Sequence, residues 1–104
     1  MALTIADFTI KTDAEGRYCL NDLHRAAGGE KRHKIFNFTA RAEFSELVGE
    51  IEKAGIPAIS TKVGRYGGTY VCKELVYAYA MWISPAFHIK VIRAYDTLQT
   101  QGVA

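Results

Sequence analysis

The sequence predicts an α+β domain: a helix-turn-helix core, a central β-hairpin and a second small hairpin at the N-terminus. Three observations carry this. Residues 59–71 place a glycine cluster, Gly64 to Gly68, between alternating, β-branched arms, and glycine tolerates the positive φ that hairpin tips need. Phe44, Leu47, Val48 and Ile51 recur at i, i+3, i+4 and i+7, the stripe of an amphipathic helix. Gly28-Gly29 separates two short helical segments, the form of a helix-turn-helix.

In order along the chain, Phe8-Thr9-Ile10 alternates, Asp13 to Gly16 reads as a turn, and Arg17-Tyr18-Cys19-Leu20 reads as the strand that pairs back. Asn21 is placed to cap a short helix from Asp22 to Ala27, buried through Leu23, Ala26 and Ala27. Gly28-Gly29 ends it. A second helix restarts near Glu30 or Lys31, with Lys31-Arg32-His33-Lys34 as its first turn and Ile35, Phe38 and Phe36 as candidates for burial. Thr39 caps a third helix, Ala40 to Ala54, which Gly55 and Pro57 terminate. Its four glutamates lie mostly off the apolar stripe and read as a solvated face. After the central hairpin, Lys73 to Ile83 is apolar around most of its circumference, which predicts a buried helix with Trp82 in the core. Ser84-Pro85 reads as N-cap and first residue of the last helix, with Phe87, Val91, Tyr95 and Leu98 facing inward.

The 104 residues suit a single domain, 1–104, with 1–6 and 100–104 expected to fray. The last helix has no strong closing element, which suggests that more chain follows. Thirteen Lys and Arg against eleven Asp and Glu give a formal charge of +2, which says little by itself. The distribution says more. His24 to Arg41 carries a net +4, Ala42 to Ala54 a net −3 and Gly55 to Lys73 a net +3, so the folded chain should show faces of opposite sign. Cations crowded at a helix N-terminus oppose the helix dipole, and that cost points to an anionic partner; a merely solvated basic face is the plainer alternative.

Cys19 and Cys72 belong to no CxxC pair and read as reduced thiols. No signal peptide is expected, and the apolar run from Leu75 to Ile83 is too short to span a bilayer. His24, His33 and His88 stand apart, no metal spacing or phosphate-binding loop is visible, and no nucleophile accompanies the glutamates. The chain is therefore expected to be no enzyme and to need no cofactor, and a nuclease would lack its carboxylate cluster.

Gly67-Gly68-Thr69-Tyr70-Val71, Glu74-Leu75-Val76 and Ala80-Met81-Trp82-Ile83-Ser84-Pro85-Ala86-Phe87 resemble the second half of a KilA-N domain. Leu20-Asn21-Asp22-Leu23-His24-Arg25-Ala26-Ala27-Gly28, followed by Lys31-Arg32, resembles its first half. The resemblance runs from about Phe8 to Tyr95. It implies a winged-helix-like module, related to the fungal APSES DNA-binding domain and attached to varied partner domains in phage regulators and antirepressors. Double-stranded DNA is then the expected partner, in the cytoplasm of a bacterial host. A repressor protein or an additional C-terminal domain is a further partner, and no membrane is involved. In that expectation Arg32, His33 and Asn37 reach base edges from a helix in the major groove. Lys31, Lys34 and Arg41 hold phosphates, and Lys62, Arg65 and Tyr66 on the hairpin wing touch the adjacent backbone or minor groove. The competing class is a protein-interaction module that binds a repressor rather than DNA.

Overall fold

The computed structural model describes residues 3–63 and 67–103, the last five as backbone only. Among them the chain forms five α-helices and two small antiparallel sheets, an α+β fold compatible with a small winged-helix-like domain.

The first sheet is a hairpin of β1 (Leu3–Ile5) and β2 (Phe8–Ile10), paired Leu3 to Ile10 and Ile5 to Phe8. Leu3, Ile5 and Ile10 are buried, so residues 3–5 are a core strand where fraying was expected. The two-residue turn holds Ala6 and Asp7 at φ 50° and 69°. Both positions are left-handed, the conformation of a type I′ turn, and neither residue is the glycine or asparagine that normally signals one.

The N-terminal pairing also differs from the expectation. The Asp13–Gly16 turn exists, closed by the Gly16 N–H donating to the Asp13 carbonyl at 3.1 Å. Its far arm, however, meets the near one only at a Thr12–Tyr18 bridge. Strand β3 (Tyr18–Cys19) instead joins β4 (Ile59–Lys62) and β5 (Gly68–Val71) in the order β3-β5-β4. Tyr18 and Cys19 gain a full antiparallel partner this way, opposite Val71 and Tyr70. The central hairpin is as expected, paired from Ile59–Val71 to Lys62–Gly68.

Helix α1 (Leu20–Ala26) starts two residues earlier than Asn21 capping would allow, and Cys19 is its N-cap without a side-chain hydrogen bond. Asn21 serves the hairpin instead: its Oδ1 accepts the Thr69 backbone N–H at 2.9 Å. Gly68 makes this approach possible, since a Cβ there would stand 2.7 Å from that oxygen. At the other end, Gly28 N–H donates to the Arg25 carbonyl and Gly29 N–H to the His24 carbonyl, at 3.1 and 2.8 Å. With both glycines at positive φ, this is a Schellman ending.

The second predicted helix is broken. Lys31–His33 is a single 3-10 turn, Lys34 is extended at ψ 146°, and only Ile35–Thr39 is α-helical (α2). The dipole penalty read from the sequence supplies the reason: the cations stand outside the α-helix rather than on its first turn. Phe38 is buried, Ile35 is half-buried and Phe36 points to solvent. Helix α3 (Ala42–Lys53) begins after an extended Arg41, later than Ala40, and Thr39 bonds back within α2. Ile51 is buried, Phe44, Leu47 and Val48 pack on the core, and Glu43, Glu46, Glu50 and Glu52 are exposed.

Helix α4 (Lys73–Ile83) runs as predicted and buries Leu75, Val76, Tyr79 and Ala80. Trp82 is only partly buried, at the edge of the core rather than within it, and Met81 is 60% exposed. Helix α5 runs Pro85–Val103, past the point where fraying was expected; Ser84 Oγ accepts the Phe87 N–H at 3.1 Å, the predicted cap. Phe87, Val91 and Tyr95 are buried against α4 and β1. Cys19 and Cys72 are free and buried.

A buried carboxylate locks α1 to the strand before it. Asp22, 3% exposed, accepts the Lys11 backbone N–H at 2.8 Å and its ammonium at 3.0 Å, and pairs with Arg25. Burial alone would raise its pKa, but the Lys11 hydrogen bonds and both cations outweigh it and hold the carboxyl below its ordinary value. A depressed carboxyl stabilises the fold above its unfolded pKa and ceases to do so as pH falls through the folded one. Asp22→Asn should therefore cost about 1.5–3 kcal/mol at pH 7, the worth of charged hydrogen bonds. The difference from wild type should shrink as pH drops below about 4. Urea unfolding at pH 7 and pH 3 measures both; an equal gap at the two pH values would contradict the ion-pair account.

Candidate nucleic-acid interface

The basic turn is built on aromatic side chains of the core. Phe38 stands edge-on to Phe44 at 5.3 Å and to Tyr79 at 5.1 Å, and tilts toward Trp82 at 5.6 Å. Tyr79 is fully buried, and its hydroxyl donates to the His33 backbone carbonyl at 2.7 Å. Burial pushes its phenol pKa far up, so the donor keeps its proton. The His33 ring lies edge-on to Trp82 at 5.6 Å, and the Arg41 guanidinium carbon lies over the indole, 5.7 Å from its ring centre. Tyr79 and Trp82, three residues apart, thus share one face of α4 and hold both ends of the basic segment.

Around this base the expected residues take different places. Lys31, Arg32 and Lys34 are exposed. The Arg32 side chain is 75% exposed and meets Glu30 at 3.2 Å, a pairing of little energetic weight at the surface. His33 is largely enclosed: its side chain is only 12% exposed and lies between Trp82 and Glu30, 3.3 Å from the carboxylate. Asn37 is exposed, but its amide donates to the Lys31 and Arg32 carbonyls at 3.4 Å each, bracing the turn from outside. Arg41 is the extended residue before α3, 42% exposed and 3.5 Å from Glu43. Lys62 stands on β4 with its ammonium 5.0 Å from the Tyr70 ring centre. Arg65 and Tyr66 lie outside the described residues.

Helix α1 joins the two basic elements. Asn21 at its start holds the hairpin, and His24 near its end approaches the Glu30 carbonyl at 2.8 Å, where the basic turn begins. Asn21 and His24 are one turn apart, a rise of about 4.5 Å along the helix axis. Sequence reading missed Asn21, Asp22 and Tyr79 as supports. The first two have partners remote in the chain, while the polar tip of Tyr79 was the available signal, since a buried tyrosine hydroxyl needs a partner. Among the described residues no cluster of three or more His, Cys, Asp or Glu side chains is placed to hold a metal ion, and no helix is long and apolar enough to cross a membrane.

Fold and surface together define a small α+β domain, compatible with a winged-helix-like one, with a braced, solvent-facing basic turn. The family model described as the KilA-N domain matches residues 2–101, and the chain belongs to that family. It is 37% identical over 97 residues to Protein kilA of Escherichia phage P1, an alignment covering 92% of this chain and 36% of the relative. The chain thus spans about a third of that relative's length. No solved structure gives a significant match.

Tyr79→Phe isolates the brace, because it keeps the ring and removes only the donor to His33. It should cost about 1 kcal/mol and speed amide exchange at His33 and Lys34, leaving β5 protected. Unchanged exchange in the basic turn would show that the hydroxyl does not hold it.

Proposed function

We propose that this chain is the double-stranded DNA-binding module of a phage or prophage regulator, working without catalysis in the host cytoplasm. The observation that carries the reading is the exposed cationic turn, Lys31, Arg32 and Lys34, fastened to a rigid aromatic base. Such a surface costs stability through self-repulsion and suits a polyanion. Membership of the KilA-N family supports the same reading.

In this reading the basic turn and α2 enter the major groove. Lys31, Lys34 and Arg41 neutralise phosphates, which supplies affinity and register. Arg32 is long and exposed enough to exchange Glu30 for the acceptors of guanine. His33 and Asn37 position the turn rather than read bases. Lys62, with Arg65 and Tyr66 from the tip, touches the neighbouring backbone or minor groove. A second reading, a module that binds a repressor protein or a further C-terminal domain, draws on the exposed glutamate face of α3. An electrophoretic shift on random duplex at low salt separates the two: a shift supports DNA, and its absence supports a protein partner.

If Lys31, Lys34, Arg41, Lys62 and Arg65 contact phosphates, log affinity should fall against log salt with a slope of roughly −3 to −5, about 0.9 for each phosphate. A slope near zero in a titration from low to moderate salt would remove the electrostatic basis of the reading.

The two basic elements should also divide their labour. Lys62→Ala should weaken binding to every sequence by a similar factor and reduce the salt slope by about one. Arg32→Ala should cost about 1–3 kcal/mol on a preferred site and far less on scrambled duplex. Loss of site preference in Lys62→Ala with preference intact in Arg32→Ala would make the hairpin the reader.

A further inference from the structure

Phe36 is 75% exposed on α2, and no part of the fold uses its ring. Its orientation is not free. Phe36 and Phe38 are separated by about 200° around a helix, so burying Phe38 among Phe44, Tyr79 and Trp82 drives Phe36 outward. The platform beneath is braced, because the Asn37 amide ties α2 to the Lys31 and Arg32 carbonyls. The exposed cation Lys34 lies two residues before it, and exposed Asn37 follows directly. An aromatic ring held in water by a rigid support, within a cationic surface, is a contact residue awaiting a partner.

The chemistry of that partner follows from what a phenyl ring lacks. It has no hydrogen-bond donor or acceptor, so it cannot read the polar edge of any base. In the major groove the apolar feature that distinguishes one base from the rest is the C5-methyl group of thymine. Resting on the DNA-binding reading above, we infer that Phe36 is a specificity-determining residue that packs on a thymine methyl group in the major groove, beside the phosphates held by the basic turn.

The test begins with a preferred site selected from a random duplex library by the 104-residue chain. Each thymine of that site is then replaced by uracil, which deletes only the methyl group. For the wild-type chain, uracil at one position should weaken binding about fourfold, the value of one buried methyl group. Phe36→Ala should lose that thymine–uracil difference while keeping the wild-type melting temperature, as expected for an exposed side chain. Phe36→Leu, which retains an apolar surface, should keep part of the difference and serves as the deciding variant if the alanine protein unfolds. Three results overturn the inference: a selected site without thymine, wild-type binding indifferent to uracil at every position, or an undiminished thymine–uracil difference in Phe36→Ala. In each of these DNA binding itself stands. Failure of the wild-type chain to bind any duplex removes the DNA reading first, and this inference with it.

Discussion

Tyr79 joins the core of this domain to its exposed basic turn. Its ring is fully buried, packed on Phe38, and its hydroxyl holds the carbonyl of His33. A short cationic turn has little reason to keep one shape in water, since one 3-10 turn contributes few hydrogen bonds and its charges repel. The conformation is therefore imposed from below. The ring contacts of Phe38, each worth about 0.5–1.5 kcal/mol beyond burial, act together with the Tyr79 hydroxyl and the indole of Trp82. The support is α4, whose Leu75, Val76, Tyr79 and Ala80 are buried in the core.

Helix α1 carries the second constraint. It is short, seven residues, and by itself would be marginal in water. Leu20 and Leu23 bury one face, the Asp22 carboxylate ties it to Lys11, and the paired glycines stop it cleanly. Its two ends then fix the base of the hairpin through Asn21 and the start of the basic turn through His24. The step from Asn21 to His24 relates the hairpin to the basic turn, so a residue inserted between these two would rotate one against the other by about 100°.

The readable elements were those whose signal is local. The hairpin arms, the cap at Ser84 and the stripes of α3, α4 and α5 each follow from periodicity or from one capping residue, and each lies where it was expected apart from Trp82, which sits at the edge of the core. The misplaced elements depended on partners distant in the chain. Strand β1 escaped notice because its turn, Ala6-Asp7, carries no glycine signal and is held left-handed by the burial of Leu3, Ile5 and Ile10. Strand β3 chose β5, more than fifty positions away, over its near neighbour. Asn21 had the composition of a cap, but an acceptor already within reach of the Thr69 N–H serves the hairpin better than a helix start can.

By itself the sequence determined the class of the domain and its segregation of charge. Those properties belong to side-chain chemistry and local periodicity, which no packing can alter. Tertiary structure alone decided which of the basic residues face outward. Lys31, Arg32 and Lys34 do, whereas the His33 side chain is turned onto Trp82. The reason is that one turn of cations is too short and too strained against the helix dipole to specify its own conformation, so the contacts made by Phe38, Tyr79 and Trp82 choose it.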